Sequence, residues 1–385
     1  MAAYVERGVT PGLVSLVSRG GEAHVEAMGV KALNGKSRVD RDTIFRISSM
    51  SKPITAVAAL ILVEECKLRL DDPIDFWLPE LANPRVLKRI DGPVEDTEAA
   101  QRPISLRDLL TFRLGTGMLF GAPENMPILR ALAEAGFAAG PPQPAQPPAP
   151  DTWIERFARI PLMYQPGDRW LYNTGSELLG ILIARASGTS FDVFLRERIF
   201  EPLGMKDTGF FVPANKLARF TDAYLTQPGG ELQPYDAADG GQWSRPPAFP
   251  SGAGGMVSTI DDYHAFARML LQGGKLGKER ILARASVELM TSDHLTQAQK
   301  DRSRTTTGDF ENYGYGFGVS VITRRDYIHE NLGQYGWDGG LGTSWRNDPK
   351  ADFITVLLTQ ASWSSPKPPP ISWDFWTAAY QALDD

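Results

Sequence analysis

The chain has 385 residues, is 42% hydrophobic and 22% charged, and carries a net charge of −6 without long runs of one sign. That is ample for a sizeable core and, at roughly 150 residues per domain, for two lobes. The acidic balance argues against nucleic acid as a partner, which requires a basic face, and no apolar run approaches the ~20 residues that span a bilayer. Residues 1–8 lack the basic and apolar segments of a signal peptide, so a cytoplasmic location is expected. One cysteine, Cys66, and four scattered histidines, His24, His264, His294 and His329, give no metal-ligand spacing, and neither a metal nor another cofactor is expected.

In chain order, the runs 13–18 and 23–29 flank Gly20-Gly21 and predict an antiparallel hairpin. Residues 42–48 read as a strand or its exit. Residues 54–65 read as a buried helix ending near Lys67, with Cys66 a small buried residue within it. A short capped helix is expected over 104–111. The proline-rich run 140–150 should be extended and exposed, either as a linker or surface loop or as a lid edge near the site. A second buried helix is expected over 178–185, and a third from near Asp261, capped by Ser258 or Thr259. The C-terminal third returns to strands at 314–322, 342–347 and 352–359, then closes with an amphipathic helix over 373–383. Strands at both ends with helices between predict an α+β, α/β-sandwich fold: one antiparallel sheet built from both chain ends and flanked by helices, with a mainly helical lobe inserted. The expected boundaries are 1–74 and 253–385 for the sheet domain and 75–252 for the helical one, with the active site in the cleft between them.

The chemistry centres on Ser49-Met50-Ser51-Lys52. On a helix, residues i and i+3 share a face, so the lysine can act as base one turn from a serine nucleophile. Ser49 would stand at the helix N-terminus, where free N–H groups and the dipole favour developing negative charge. Pro53 is tolerated in a first turn. Ser364-Ser365-Pro366-Lys367 fits the same pattern but lies in a proline-rich stretch and reads as a loop. Lys52 must be partly neutral to serve, so burial or nearby positive charge must lower its pKa. Tyr172 is the candidate for a proton relay to the leaving group. Two oxyanion donors are needed: the Ser49 N–H and a backbone N–H within Gly336-Trp337-Asp338-Gly339-Gly340, where glycine lets a backbone approach a ligand closely. No G-x-S-x-G occurs, which argues against an α/β-hydrolase elbow.

Taken together, residues 45–53, 68–74 and 106–111, Pro166-Gly167, Leu178-Leu179-Gly180, residues 252–259 and residues 337–343 resemble the serine β-lactamase-like superfamily. That superfamily holds class C β-lactamases, penicillin-binding DD-peptidases and family VIII carboxylesterases. The resemblance covers nearly the whole chain and implies a β-lactamase/transpeptidase-like fold. It implies Ser49 as the acylated nucleophile, Lys52 as base, Tyr172 as the second-motif tyrosine and Gly340 as the second oxyanion donor. Trp337, Asp338, Gly339, Thr174 and Phe120 are then expected to line the substrate site, with Met118 and Leu119 beside Phe120.

Two departures from the family pattern direct the functional reading. The usual Tyr-x-Asn reads Tyr172-Asn173-Thr174, and Trp337 stands where Lys-Thr-Gly has its lysine. Losing that cation removes a charge-assisted contact to an anionic β-lactam of ~1.5–3 kcal/mol, roughly tenfold to a hundredfold in binding. An indole offers apolar surface instead, and tryptophan at this place resembles the family VIII esterases. The expected protein is a serine carboxylesterase for small, uncharged, short- to medium-chain esters, with a small-molecule ester as its partner. A β-lactamase or D-amino-acid peptidase, an acyltransferase of the same fold and a catalytically dead binding protein are the alternatives.

Overall fold

The computed structural model describes residues 1–120, 126–307 and 310–383. Strands β1 (Gly12–Arg19) and β2 (Glu22–Gly29) form the expected hairpin, with Gly20 and Gly21 both at positive φ. Five further strands join them: β3 (Tyr313–Tyr315), β4 (Ser320–Ile322), β5 (Tyr335–Gly339), β6 (Thr343–Asp348) and β7 (Phe353–Thr359). The sheet order is β3-β4-β5-β6-β7-β1-β2, antiparallel throughout, so the N-terminal hairpin pairs directly with β7. All seven residues of β7 are buried, as a strand covered on both faces requires.

The period of two in each strand divides its residues between two layers. Val14, Leu16, Ile354, Val356 and Leu358 face the main core, which includes α1 (Ser51–Glu64) and α3 (Ile260–Leu271). Leu13 and Leu357 face the opposite way, against Ile371, Phe375 and Trp376 of α4 (Pro370–Gln381). Helix α1 is buried on every side from Ser51 to Leu62, and it contacts both the sheet core and α2 (Thr174–Ser187). An all-round apolar helix is one enclosed by the protein. No single helix among the described residues is long and apolar enough to cross a membrane.

The capped helix expected at 104–111 spans Leu106–Leu110 with a Ser105/Asp108 capping box, and Thr259 is the N-cap of α3. Two expectations need correction. Residues 314–322 form two strands, β3 and β4, joined by a turn in which Gly318 takes φ 73°. Cys66 is exposed, beyond the end of α1 at φ 58°; the left-handed backbone that ends the helix turns its thiol outward.

The proline-rich run is docked on the protein. Tyr235 Oη donates to the Pro142 carbonyl (2.7 Å), and a Cβ placed on Gly254 would come within 2.9 Å of the Pro142 ring. The same Cβ position lies 3.8 Å from the Ser48 carbonyl carbon, so this part of the run lies beside the nucleophile turn, Ser48–Met50, which carries the expected nucleophile Ser49.

Strand β5 ends against that turn. A Cβ on Gly339 would meet the Ile47 carbonyl oxygen at 2.3 Å and Thr343 Oγ1 at 2.1 Å, whereas one on Gly340 would meet nothing within 4 Å. The close backbone approach read from the glycine run is therefore required at Gly339. Gly339→Ala is expected to lower stability by about 1–3 kcal/mol, as overpacking does, and to displace β5 from the nucleophile turn. Gly340→Ala should stay within ~0.5 kcal/mol of the wild type. Thermal denaturation of the two variants side by side checks the difference.

Candidate active site

Ser49 lies on a single 3-10 turn, Ser48–Met50, between the short strand Phe45–Arg46 and the start of α1. Ser48 takes φ 45°, unusual for a residue with a Cβ. The turn is fastened from several sides. Ser51 Oγ donates to the Ser48 carbonyl (2.6 Å), the Met256 N–H donates to Ser51 Oγ (3.2 Å), Tyr263 Oη donates to the Met50 carbonyl (3.0 Å) and Thr343 Oγ1 donates to the Ile47 carbonyl (3.1 Å). Stored strain of this kind persists where the surroundings over-determine it.

Three residues on, Lys52 is fully buried. Its Nζ donates to Ser49 Oγ (2.9 Å) and to the Ala253 carbonyl (2.6 Å). Burial lowers its pKa to about 7, against a smaller upward pull from the Glu177 carboxylate. A fraction of the amine is thus neutral near pH 7, with a lone pair beside the serine hydroxyl.

Tyr172 closes the group. Its ring centroid lies 4.5 Å from Lys52 Nζ, and Trp337 Nε1 donates to its hydroxyl (3.0 Å). Burial pushes the phenol up to about 12, so it stays neutral and can carry a proton. The chain then reverses sharply. Asn173 sits at φ 88°, ψ −59°, and the Thr174 N–H returns to the Tyr172 carbonyl (3.3 Å), a strained γ-turn. This lets Tyr172 pair with Met118, whose N–H donates to its carbonyl (3.0 Å), while α2 begins at once with Thr174.

Aromatic rings surround Tyr172. Phe112, Trp170, Trp337 and Phe120 lie 5.6, 5.5, 5.7 and 6.2 Å from it, centroid to centroid, and Tyr315 packs against Phe112, Trp170 and Trp337. Of the residues expected in the substrate site, the structure thus brings Trp337 and Phe120 to the tyrosine. Gly339 touches the nucleophile turn, Gly340 follows it directly, and Thr174 is half-buried at the head of α2.

Asp338 is not brought to this group. Neighbours along a strand point to opposite faces, and both Asp338 carboxylate oxygens accept from Arg346 (2.7 Å each), whose guanidinium lies 4.6 Å over Trp376 of α4. Its role is an ion pair in the layer behind the sheet, although its charge contributes to raising the Tyr172 pKa.

Several residues here escaped sequence reasoning. Trp170 had a usable signal, since it is two residues before Tyr172 and an extended chain places both on one side. Phe112, Tyr315, Ser251 and Glu177 had none, because their relation to Tyr172 or Lys52 exists only after folding. Among the described residues, no cluster of three His, Cys, Asp or Glu side chains is placed to hold a metal. A separate apolar cavity of about 860 Å³, lined by Phe191, Phe200, Phe210 and Phe249, includes none of Ser49, Lys52 and Tyr172.

Comparison with known proteins places the chain in a family. The beta-lactamase family model matches residues 1–369. Protein Rv1367c of Mycobacterium tuberculosis is 37% identical over 361 residues, 92% of this chain and 87% of its own. A lovastatin esterase of Penicillium rubens is 30% identical over 342 residues, 83% of this chain and 80% of its own. Among solved structures, EstCE1, a hydrolase with promiscuous acyltransferase activity, matches with a TM-score of 0.79 at 25% identity, covering 98% of this chain and 96% of its own. With the likeness running through nearly the whole chain in both sequence and fold, this protein belongs to the beta-lactamase family.

Proposed function

We propose that the protein is a serine carboxylesterase, similar to the family VIII enzymes, that hydrolyses small uncharged esters of short to medium chain length through an acyl-enzyme on Ser49. The observation that supports this reading is the contact of Lys52 Nζ with Ser49 Oγ (2.9 Å) beside the Tyr172 ring, whose hydroxyl accepts from the indole at the third-motif position.

Neutral Lys52 accepts the Ser49 proton as Oγ attacks the ester carbonyl, and the Ser49 and Gly340 amides receive the negative charge on the carbonyl oxygen. The intermediate collapses by breaking the bond to the alcohol oxygen. The leaving alkoxide takes a proton from Tyr172, which recovers one from the Lys52 ammonium. A water molecule then attacks the acyl-enzyme by the same proton path in reverse and frees the acid and Ser49. Trp337 and Phe120 offer apolar walls to the ester and no cation to an anionic substrate. The same acyl-enzyme can be intercepted by an alcohol. The aromatic surroundings of Tyr172 favour an apolar acceptor, and EstCE1, described as a hydrolase with promiscuous acyltransferase activity, is a structural neighbour.

Hydrolysis of p-nitrophenyl butyrate by the wild type and by Ser49→Ala, matched for folded content, tests the assignment. Activity should fall to background in the variant, and equal rates in both would overturn it. Because the reactive form of Lys52 is unprotonated, kcat/KM should rise roughly tenfold per pH unit below about 7 and level off above it. Tyr172, at about 12, should add no alkaline decline through pH 9, as a pH–rate series would show. Trp337→Phe keeps the apolar wall but deletes the donor to Tyr172. It should lower kcat by roughly threefold to tenfold, the worth of one net hydrogen bond, with KM little changed.

A further inference from the structure

A carboxylate outside the Ser49, Lys52 and Tyr172 group shares a buried turn with the lysine. Glu177 projects from the first turn of α2, and its Oε1 accepts from Ser251 Oγ (2.8 Å). The Gly252 and Ala253 backbone amides favour the ionised form of this carboxyl, whose pKa burial raises. The carbonyls of this turn point the other way, into α1: Gly252 O accepts from Thr55 Oγ1 (2.8 Å) and Ala253 O accepts from Lys52 Nζ (2.6 Å). Ser251 Oγ also accepts from the Gly254 N–H (3.1 Å), which fixes the turn from within. Residues 251–254 thus lie between an acid and a base, bonded to both. Among the described residues, Glu177 Oε2 is buried and makes no hydrogen bond. An unsatisfied buried carboxylate oxygen is costly, and a nearby positive charge offsets that cost.

We propose that Glu177 is the counter-charge of Lys52: a positioning residue that holds the turn carrying the Ala253 carbonyl and stabilises the ammonium formed when Lys52 takes the Ser49 proton. The inference rests on the esterase reading above. Glu177 touches neither Ser49 nor the expected place of the ester, so it acts through the lysine. An interaction that grows as charge develops on Lys52 lowers the barrier to acylation without tightening substrate binding. The other titratable groups around Lys52 do not supply that charge. Tyr172 faces it with its ring and stays neutral, Asp338 on β5 is paired with Arg346, and the 251–256 segment contributes hydroxyl and backbone groups. Burial raises the Glu177 pKa above the usual carboxylate range, and the Ser251 hydrogen bond and the charge of Lys52 pull it back towards the ionised form, as Glu177 in turn favours the ammonium of Lys52.

The test is the pH dependence of kcat/KM for p-nitrophenyl butyrate in the wild type, Glu177→Gln, Glu177→Asp and Ser251→Ala, with Ser49→Ala as control and folded content matched by circular dichroism. Without the counter-charge, Lys52 gives up its proton more readily. The acid limb of Glu177→Gln should move to lower pH by about 1 unit or more, and the plateau should fall by up to about tenfold because the base is weaker. Glu177→Asp should bring the limb part of the way back. Ser251→Ala keeps the carboxylate but removes a hydrogen bond that favours its ionised form, so its limb should move the same way by less. Should Glu177→Gln not fold, the Ser251→Ala limb decides alone. An unmoved limb, with Ser49→Ala inactive, overturns the role of Glu177 and leaves the esterase reading standing. Wild-type rates in Ser49→Ala overturn that reading and this inference with it.

Discussion

The site depends on one desolvated amine. Lys52 is held out of water on a helix that is buried on all sides over its first three turns, beside hydroxyl, carbonyl and aromatic groups. Keeping an ammonium in such a place costs several kcal/mol, and the group responds by holding its proton less tightly. The apolar character of α1, which looks like ordinary core, is therefore part of the chemistry. Every element that seals the helix also adds to the burial that lowers the Lys52 pKa: the sheet beneath it, α2 beside it and the 251–256 segment across its start.

A second constraint is the neutral donor at the tyrosine hydroxyl. Trp337 occupies the motif position of the family's lysine and binds the Tyr172 hydroxyl through Nε1. A positive charge there would favour the phenolate and draw anions. The indole donates one neutral hydrogen bond and leaves the phenol protonated. The Tyr172 hydroxyl is then oriented by packing and one directed bond instead of by charge.

Much of this was legible in the sequence, for reasons that differ by residue. Ser49 and Lys52 could be read because their relation is local and set by the helix repeat. The sheet assembled from both chain ends could be read because strand-like runs bracket a helical middle. The run 314–322 misled because Gly316 and Gly318 fall in step with a strand's alternation while Gly318 turns the chain. Cys66 misled because an apolar run does not announce where its helix ends. Asp338 was readable but misplaced: once Trp337 faces the tyrosine, strand parity sends its neighbour to the other side. Glu177 was beyond reach. An acid in the first turn of a helix is commonplace as a partner for the dipole, and nothing in the chain indicates that it will meet a turn about seventy-five residues later.

The sheet order has a consequence for how the protein comes into being. Leu13 lies opposite Thr359, so the hairpin made first during synthesis lacks its neighbour until the last strand has been made. The nucleophile turn waits as well, since its support from Gly339 and Thr343 comes from the same late segment. Contacts so distant in sequence form slowly and only after a large loss of chain freedom. The enclosed Ser49–Lys52 pair therefore exists only in a finished molecule: a nascent chain carries both residues for most of its synthesis without the burial that lowers the lysine pKa.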